Sequence, residues 1–242
     1  MSIDRVFTKD NLDSYLKELG KEFRKRNGTK MSAEIILVGG AAILANYGFR
    51  EMTYDIDAVI TASSAMKEAV NAVGNKFQLP NRWLNADFQN TNSYSPKLRQ
   101  YSKHYHTYSN ILHIRTVSAE YLLAMKLMSG RSYKKDLSDV IGILYEQEKA
   151  GQPLDYEKID TAVKELYGGW DGISDYARKI LMTALSSENL AALFEQQMRE
   201  ENVSRQILIH AEKKEAKAVT ESSAEDIIKK ALAKKKRDRE ER

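Results

Sequence analysis

Across 242 residues the chain carries 42% hydrophobic residues, a net charge of +4 and no cysteine. That is enough apolar material for a sizeable core, and it excludes disulfides, thiolate zinc sites and a cysteine nucleophile. The modest charge permits nucleic-acid binding without requiring it. Together with the lack of an apolar signal core in Met1–Leu12 and of any membrane-length apolar run, it leads us to expect a cytoplasmic protein with no membrane partner.

Leu12, Tyr15, Leu16, Leu19 and Phe23 recur at helical spacing and predict an amphipathic helix over about Asp10–Lys25, ending near Asn27-Gly28. Glu34–Val38 reads as a short buried strand and Ala41–Tyr47 as a short helix, with Gly39-Gly40 at the turn between them. Glycine allows close backbone approach, and a helix N-terminus offers free N–H groups to phosphate. The next strand contains Asp55-Ile56-Asp57-Ala58-Val59-Ile60. Residues i and i+2 of a strand share a face, so both carboxylates are expected to project together from a largely buried strand. Like charges that close need a positive partner, and Mg²⁺ or Mn²⁺ between Asp55 and Asp57 supplies one.

Ser63 or Ser64 is a candidate cap for a helix to about Lys76. Leu79–Ser102 is polar and reads as a long loop with a short helix near Trp83, and Tyr105–Thr116 alternates as one or two strands. From Ser118, a candidate N-cap, the pattern turns helical: Tyr121–Met128 with Gly130 as its stop, then Lys134–Lys149, Tyr156–Tyr167, Ile173–Leu185 and Ser187–Met198. Beyond Ala211 the chain has eleven Lys and Arg against eight Asp and Glu, and Ser223-Ala224-Glu225-Asp226 approximates a capping box. The expected fold class is α+β: a small mixed-sheet domain over 1–117, a helical domain over 118–211 and a charged tail, helical or disordered, over 212–242.

The segment Leu37–Ile60 resembles the nucleotidyltransferase superfamily related to DNA polymerase beta, and more narrowly its bacterial branch containing the AbiEii-type toxins. Gly39, Gly40, Ala42, Arg50, Thr53, Asp55 and Asp57 follow that branch's order of motifs. Trp83-Leu84-Asn85, Leu122–Leu127, Gly130-Arg131 and Lys135-Asp136 with Asp139 resemble its further elements. The resemblance covers roughly the first 145 residues and implies a mixed-sheet catalytic domain. It implies that Asp55 and Asp57 hold metal, that Gly39, Gly40, Arg50, Thr53 and Arg131 belong to the nucleotide site, and that Lys126 and Asp136 belong to the active site. A lysine in an apolar helix can equally snorkel to the surface, and Lys135 with Asp139 can be a helix-surface pair.

The family also usually has a third acidic residue on a following strand. Here the polar candidate is His113, which leaves Asp87 or Asp136 to close the site, a single well-held metal, or a domain that no longer transfers anything. His104 and His106 lack a third ligand for zinc, and Tyr101, Tyr105 and Tyr108 suit packing better than base stacking. The resulting expectation is a metal-dependent transfer of a nucleotidyl group from an NTP to tRNA or a protein, in a toxin–antitoxin or phage-defence setting with a cognate antitoxin. The alternatives are a small-molecule adenylyltransferase and a non-catalytic, antitoxin-like nucleotide-binding protein.

Overall fold

A computed structural model describes residues 6–29, 31–215 and 219–240. The chain opens on helix α1 (Lys9–Asn27), which starts at a reciprocal capping box between Thr8 and Asn11 and buries Leu12, Leu16, Leu19 and Phe23. Strand β1 (Ala33–Leu37), helix α2 (Gly39–Asn46), strand β2 (Ile56–Thr61) and helix α3 (Ala65–Phe77) follow. Ser64 occupies the N-cap position of α3 without a side-chain bond to it, and the Ser63 hydroxyl instead donates to Asn27 Oδ1 at 2.6 Å. Ser64 thus holds the expected cap position without a capping bond, and Ser63 ties α3 to the end of α1.

Strands β3 (Leu84–Asn85), β4 (Ser102–Tyr108) and β5 (Leu112–Val117) complete a five-stranded mixed sheet in the order β3-β2-β1-β5-β4. The central pair β1 and β5 is parallel, and β2 and β4 run antiparallel to their inner neighbours. The short helix expected near Trp83 is a 3-10 turn at Asp87–Asn90, and Trp83 itself lies outside it. Trp83 precedes β3, and its indole N–H donates to Val70 O of α3 at 3.0 Å. The β4–β5 turn places Ser109 and Asn110 at φ 53° and 56°, the conformation of a tight hairpin turn whose twist matches its strands.

Among the described residues all strands lie in the first half, and from Ser118 the elements are helical: α4 (Ala119–Ser129), α5 (Asp136–Lys149), α6 (Tyr156–Tyr167), α7 (Asp175–Leu185), α8 (Leu190–Glu215) and α9 (Glu221–Glu240). The α+β expectation therefore holds. One continuous core joins the halves, running from Ile35 and Ile114 in the sheet to Leu123, Ile141, Val163 and Leu181 in the helices.

The largest departure from the sequence reading is α8. It extends well past Met198 and through residue 211. Its buried face carries Gln197, Glu201 and Ser204 before Leu208, so an apolar periodicity does not reveal it. Nor does a Gly or Pro interrupt that stretch. Of the sequence-read tail, 216–218 and 241–242 lie outside the described residues; within it, α9 buries Ala224 and Ile228 against Leu208 in a small second cluster. No helix among the described residues is long and apolar enough to cross a membrane.

Because that cluster is separate from the main core, truncation after Ala211 is expected to leave a single cooperative unfolding transition. Loss of the Ile228 and Ala224 burial removes about 2–3 kcal/mol, which lowers the melting temperature by roughly 5–10 °C in a domain of this size. Differential scanning calorimetry checks this, and a non-cooperative melt would place the tail in the main core.

Candidate active site

Nine of the residues singled out by motif border one open cleft of about 1290 Å³: Gly39, Gly40, Arg50, Thr53, Asp55, Asp57, Lys126, Arg131 and Asp136; Ala42, Asn85 and Asp139 do not line it. The cleft lies beyond the end of β1, where the chain turns into α2. Gly39 takes φ +54°, a backbone region that other residues rarely adopt, and a Cβ there would stand 3.8 Å from Asp57 Oδ2. Gly40 is required for a different reason. A Cβ on it would fall 2.6 Å from Thr53 Oγ1 and 2.8 Å from an Arg50 guanidinium nitrogen. Gly39 therefore opens toward the carboxylate, whereas Gly40 admits the Arg50–Thr53 segment.

The aspartates are less alike than a shared strand predicts. Asp57 is half-buried within β2, and Asp55 sits just before the strand and is exposed. They still interact: burial raises the Asp57 carboxyl above its ordinary value, and the Asp55 charge adds to this. A hydrogen bond from Asn85, followed by the positive charges of Lys126 and Lys134, opposes the rise. Asn85 pairs directly with Asp57 across β2 and β3, and its Oδ1 accepts from Asp87 N–H at 2.9 Å. Its amide group is thus left to donate to the carboxylate. Neither Asn85 nor Lys134 stands out by composition. Asn85 lay within the Trp83-Leu84-Asn85 run, yet only strand pairing reveals its role.

Behind the cleft, Lys126 Nζ lies 2.8 Å from both Asp136 Oδ1 and Asp139 Oδ2. Arg50 pairs with the same Asp139 oxygen, and Arg131 Nε donates to Asp136 Oδ2 at 2.8 Å. The Ser129 hydroxyl donates to that oxygen as well. Arg50, Asp139, Lys126, Asp136 and Arg131 thus form a chain of alternating charge. Burial works to lower the Lys126 ammonium, but Asp136 and Asp139 outweigh it and hold it above the ordinary lysine value. Burial likewise pushes the Asp136 carboxyl up, yet Lys126 and Arg131 hold it well below the usual carboxylate range. Lys126 is therefore no snorkelling lysine, and Lys126 and Asp136 face each other at the back of the cleft.

The third strand corrects one expectation. Leu37 pairs with Ala58 on β2 and with Thr116 on β5, and Val38 N–H donates to Asp57 O. Continuing this register by one residue places Val117, fully buried, level with Asp57 on the same sheet face. His113 is four residues further back on β5, about 13 Å along the strand, and its Nδ1 lies 3.1 Å from Thr107 Oγ1. It does not face the cleft. Asp87 does border the cleft, exposed and paired with Arg82. Among the described residues no three His, Cys, Asp or Glu side chains group as a metal cage. Tyr105 and Tyr108 donate to Asp13, and Tyr101 stacks on Tyr121, so these tyrosines pack the fold.

Glu201 went unnoticed in the sequence. From α8, its Oε1 accepts the Leu137 and Ser138 N–H groups at 3.0 and 3.1 Å, capping the start of α5. Burial dominates those bonds and, with the Asp139 charge, pushes its carboxyl up to about 8.

A mixed sheet with a glycine turn beside Asp57, Asp55 just ahead of the strand and a lysine–aspartate pair behind is the arrangement that the resemblance to nucleotidyltransferases leads one to expect. Residues 14–169 match the family described as "Nucleotidyltransferase of unknown function (DUF6036)", and the chain belongs to that family. No curated protein and no solved structure matches the chain.

Two predictions follow from the buried charges. Lys126→Met leaves Asp136 and Asp139 under-compensated and is expected to lower stability by about 3–5 kcal/mol, read from urea unfolding. Intact stability with loss of nucleotide binding would instead mark a phosphate-facing lysine. For Glu201, the folded carboxyl near 8 exceeds its unfolded value, so the folded state binds the extra proton. Its contribution is present below about pH 4.5 and is lost as pH rises through about 8. Glu201→Gln keeps the acceptor oxygen, so the variant's stability should fall less than the wild type's between pH 5 and pH 8. Parallel pH–stability curves would show that Glu201 does not titrate in this range.

Proposed function

We propose that the chain moves a nucleotidyl group from an NTP to a hydroxyl of an RNA or protein acceptor, assisted by Mg²⁺ or Mn²⁺ at Asp55 and Asp57. The observation that carries this reading is Asp57 itself. It is a half-buried carboxylate with a second carboxylate raising its proton affinity, set against a glycine that leaves space at its oxygen. Such a pair suits a hard divalent ion, which takes one or two carboxylates and completes its shell with water and phosphate oxygens. When bound there, the ion would neutralise phosphate charge and lower the pKa of an attacking oxygen.

The chain's own residues bind and orient. Asn85 fixes the Asp57 carboxylate, and Lys126 and Lys134 help to keep it ionised. Gly39 clears the approach, and Arg50 braces the turn from behind. An acceptor oxygen would bond to the α-phosphorus as the bond to pyrophosphate breaks, with the hydroxyl proton passing to a carboxylate or to water. Positioning and charge neutralisation suffice for this class of reaction. The resemblance to AbiEii-type toxins supports a toxin–antitoxin or phage-defence setting with an antitoxin partner. A second reading, nucleotide binding without transfer, is favoured by one observation: Val117 occupies the level where a third acid would stand.

Asp57→Asn is expected to abolish Mg²⁺-dependent NTP binding and any transfer, yet leave the apo fold at least as stable. Asn keeps the shape and removes the repulsion with Asp55. Melting temperatures without ligand and NTP titrations with and without Mg²⁺ check both halves. A destabilised variant that still binds the metal–nucleotide would make Asp57 structural.

A further inference from the structure

Helix α9 borders the cleft but has no part in the reaction outlined above. Its hold is specific. Glu225 Oε1 accepts from the Ser132 N–H at 3.2 Å and from the Ser132 hydroxyl at 2.9 Å. Ser132 lies in the segment between α4 and α5, whose preceding residue, Arg131, is held by Asp136. The next residue, Tyr133, packs on the small cluster of Leu208, Ala224 and Ile228. Three successive residues, 131 to 133, are thus fixed from α5, α9 and the α8–α9 cluster. Lys134 and Lys135 follow at once, and both border the cleft. Lys134 is exposed and its charge acts on Asp57. From α9 itself, exposed Lys229 borders the same cleft, one residue after buried Ile228. The charged C-terminal segment therefore supplies both a fixed acceptor for the segment and a cation for the cleft wall.

We infer that α9 belongs to the nucleotide site: Glu225 clasps the 131–135 segment so that its lysines stand toward the Asp55–Asp57 pair, and Lys229 meets the polyphosphate of an NTP from the opposing wall. This assignment rests on the reading that the cleft takes a metal–NTP. It also explains how the cleft gathers positive charge while Lys126 is occupied by Asp136 and Asp139. A clasped segment presents its cations without the entropy loss of ordering them at binding.

The test uses the full chain, Mg²⁺ and each of the four common NTPs, with affinity from calorimetry and amide hydrogen exchange at 131–135. Glu225→Ala and Lys229→Ala should each weaken binding of the preferred NTP about tenfold, the scale of one charge-assisted interaction. Glu225→Gln retains an acceptor oxygen and should bind nearly as the wild type does. Glu225→Ala should also speed exchange at Ser132, whereas Lys229→Ala, at an exposed site, should leave it unchanged. Wild-type affinity in both alanine variants, or unchanged Ser132 exchange in Glu225→Ala, overturns the inference. So does tighter NTP binding after truncation at Glu215, which would make α9 a cover over the site. A wild-type chain that binds none of the NTPs with Mg²⁺ instead removes the nucleotide-site reading beneath it.

Discussion

The alternating chain Arg50–Asp139–Lys126–Asp136–Arg131 is the constraint on which the cleft depends. Three cations share two carboxylates, and both acids are almost fully buried. Desolvating such groups is expensive, and removing one partner leaves a buried charge without compensation. The network therefore tolerates little rearrangement. It also joins segments far apart in sequence: Arg50 after α2, Lys126 in α4, Arg131 after α4 and both acids in the first turn of α5. Through Arg50 it reaches Gly40, whose missing side chain is what allows the guanidinium to pass. The position of the glycine turn and the position of α5 are thus set by the same ions.

In front of this network the balance is opposite in sign. Burial and Asp55 favour protonation of Asp57, and Asn85, Lys126 and Lys134 favour ionisation. Lys126 acts on both sides, neutralising the acids behind it and lending charge to the acid in front. A lysine with two buried carboxylate partners cannot leave them cheaply, so its effect on the cleft is electrostatic, exerted at a distance. Lys134, exposed on the segment after α4, also lends charge to Asp57.

The first block of the site was legible because its chemistry is local. A positive-φ turn demands glycine, and a strand places Asp57 by counting along the chain. The α+β class was legible for the same reason, since apolar alternation gives way to helical spacing at Ser118. What stayed hidden depends on pairing between distant segments. Val117, not His113, stands level with Asp57, and only the registers of β1 with β2 and β5 reveal it. Asn85 acquires meaning from its partner across β2 and β3. The length of α8 was obscured because its buried stripe includes Gln197, Glu201 and Ser204, which hydropathy reads as solvent-facing.

One of those polar exceptions, Glu201, is explained by the backbone it holds. The segment from Arg131 to Ser138 has few apolar side chains with which to anchor itself. Its backbone N–H groups are held by carboxylates instead: Arg131 by Asp136, Ser132 by Glu225, and Leu137 and Ser138 by Glu201. One of these acids lies at the start of α5, and the other two come from α8 and α9. An apolar residue at Glu201 would suit the packing of α8 better but would leave two N–H groups at the start of α5 without an acceptor. At Glu201 the hydropathy rule fails because the side chain serves the backbone of a neighbouring helix. The helical half is therefore more than support for the sheet. It fixes a wall of the cleft that the sheet does not itself position.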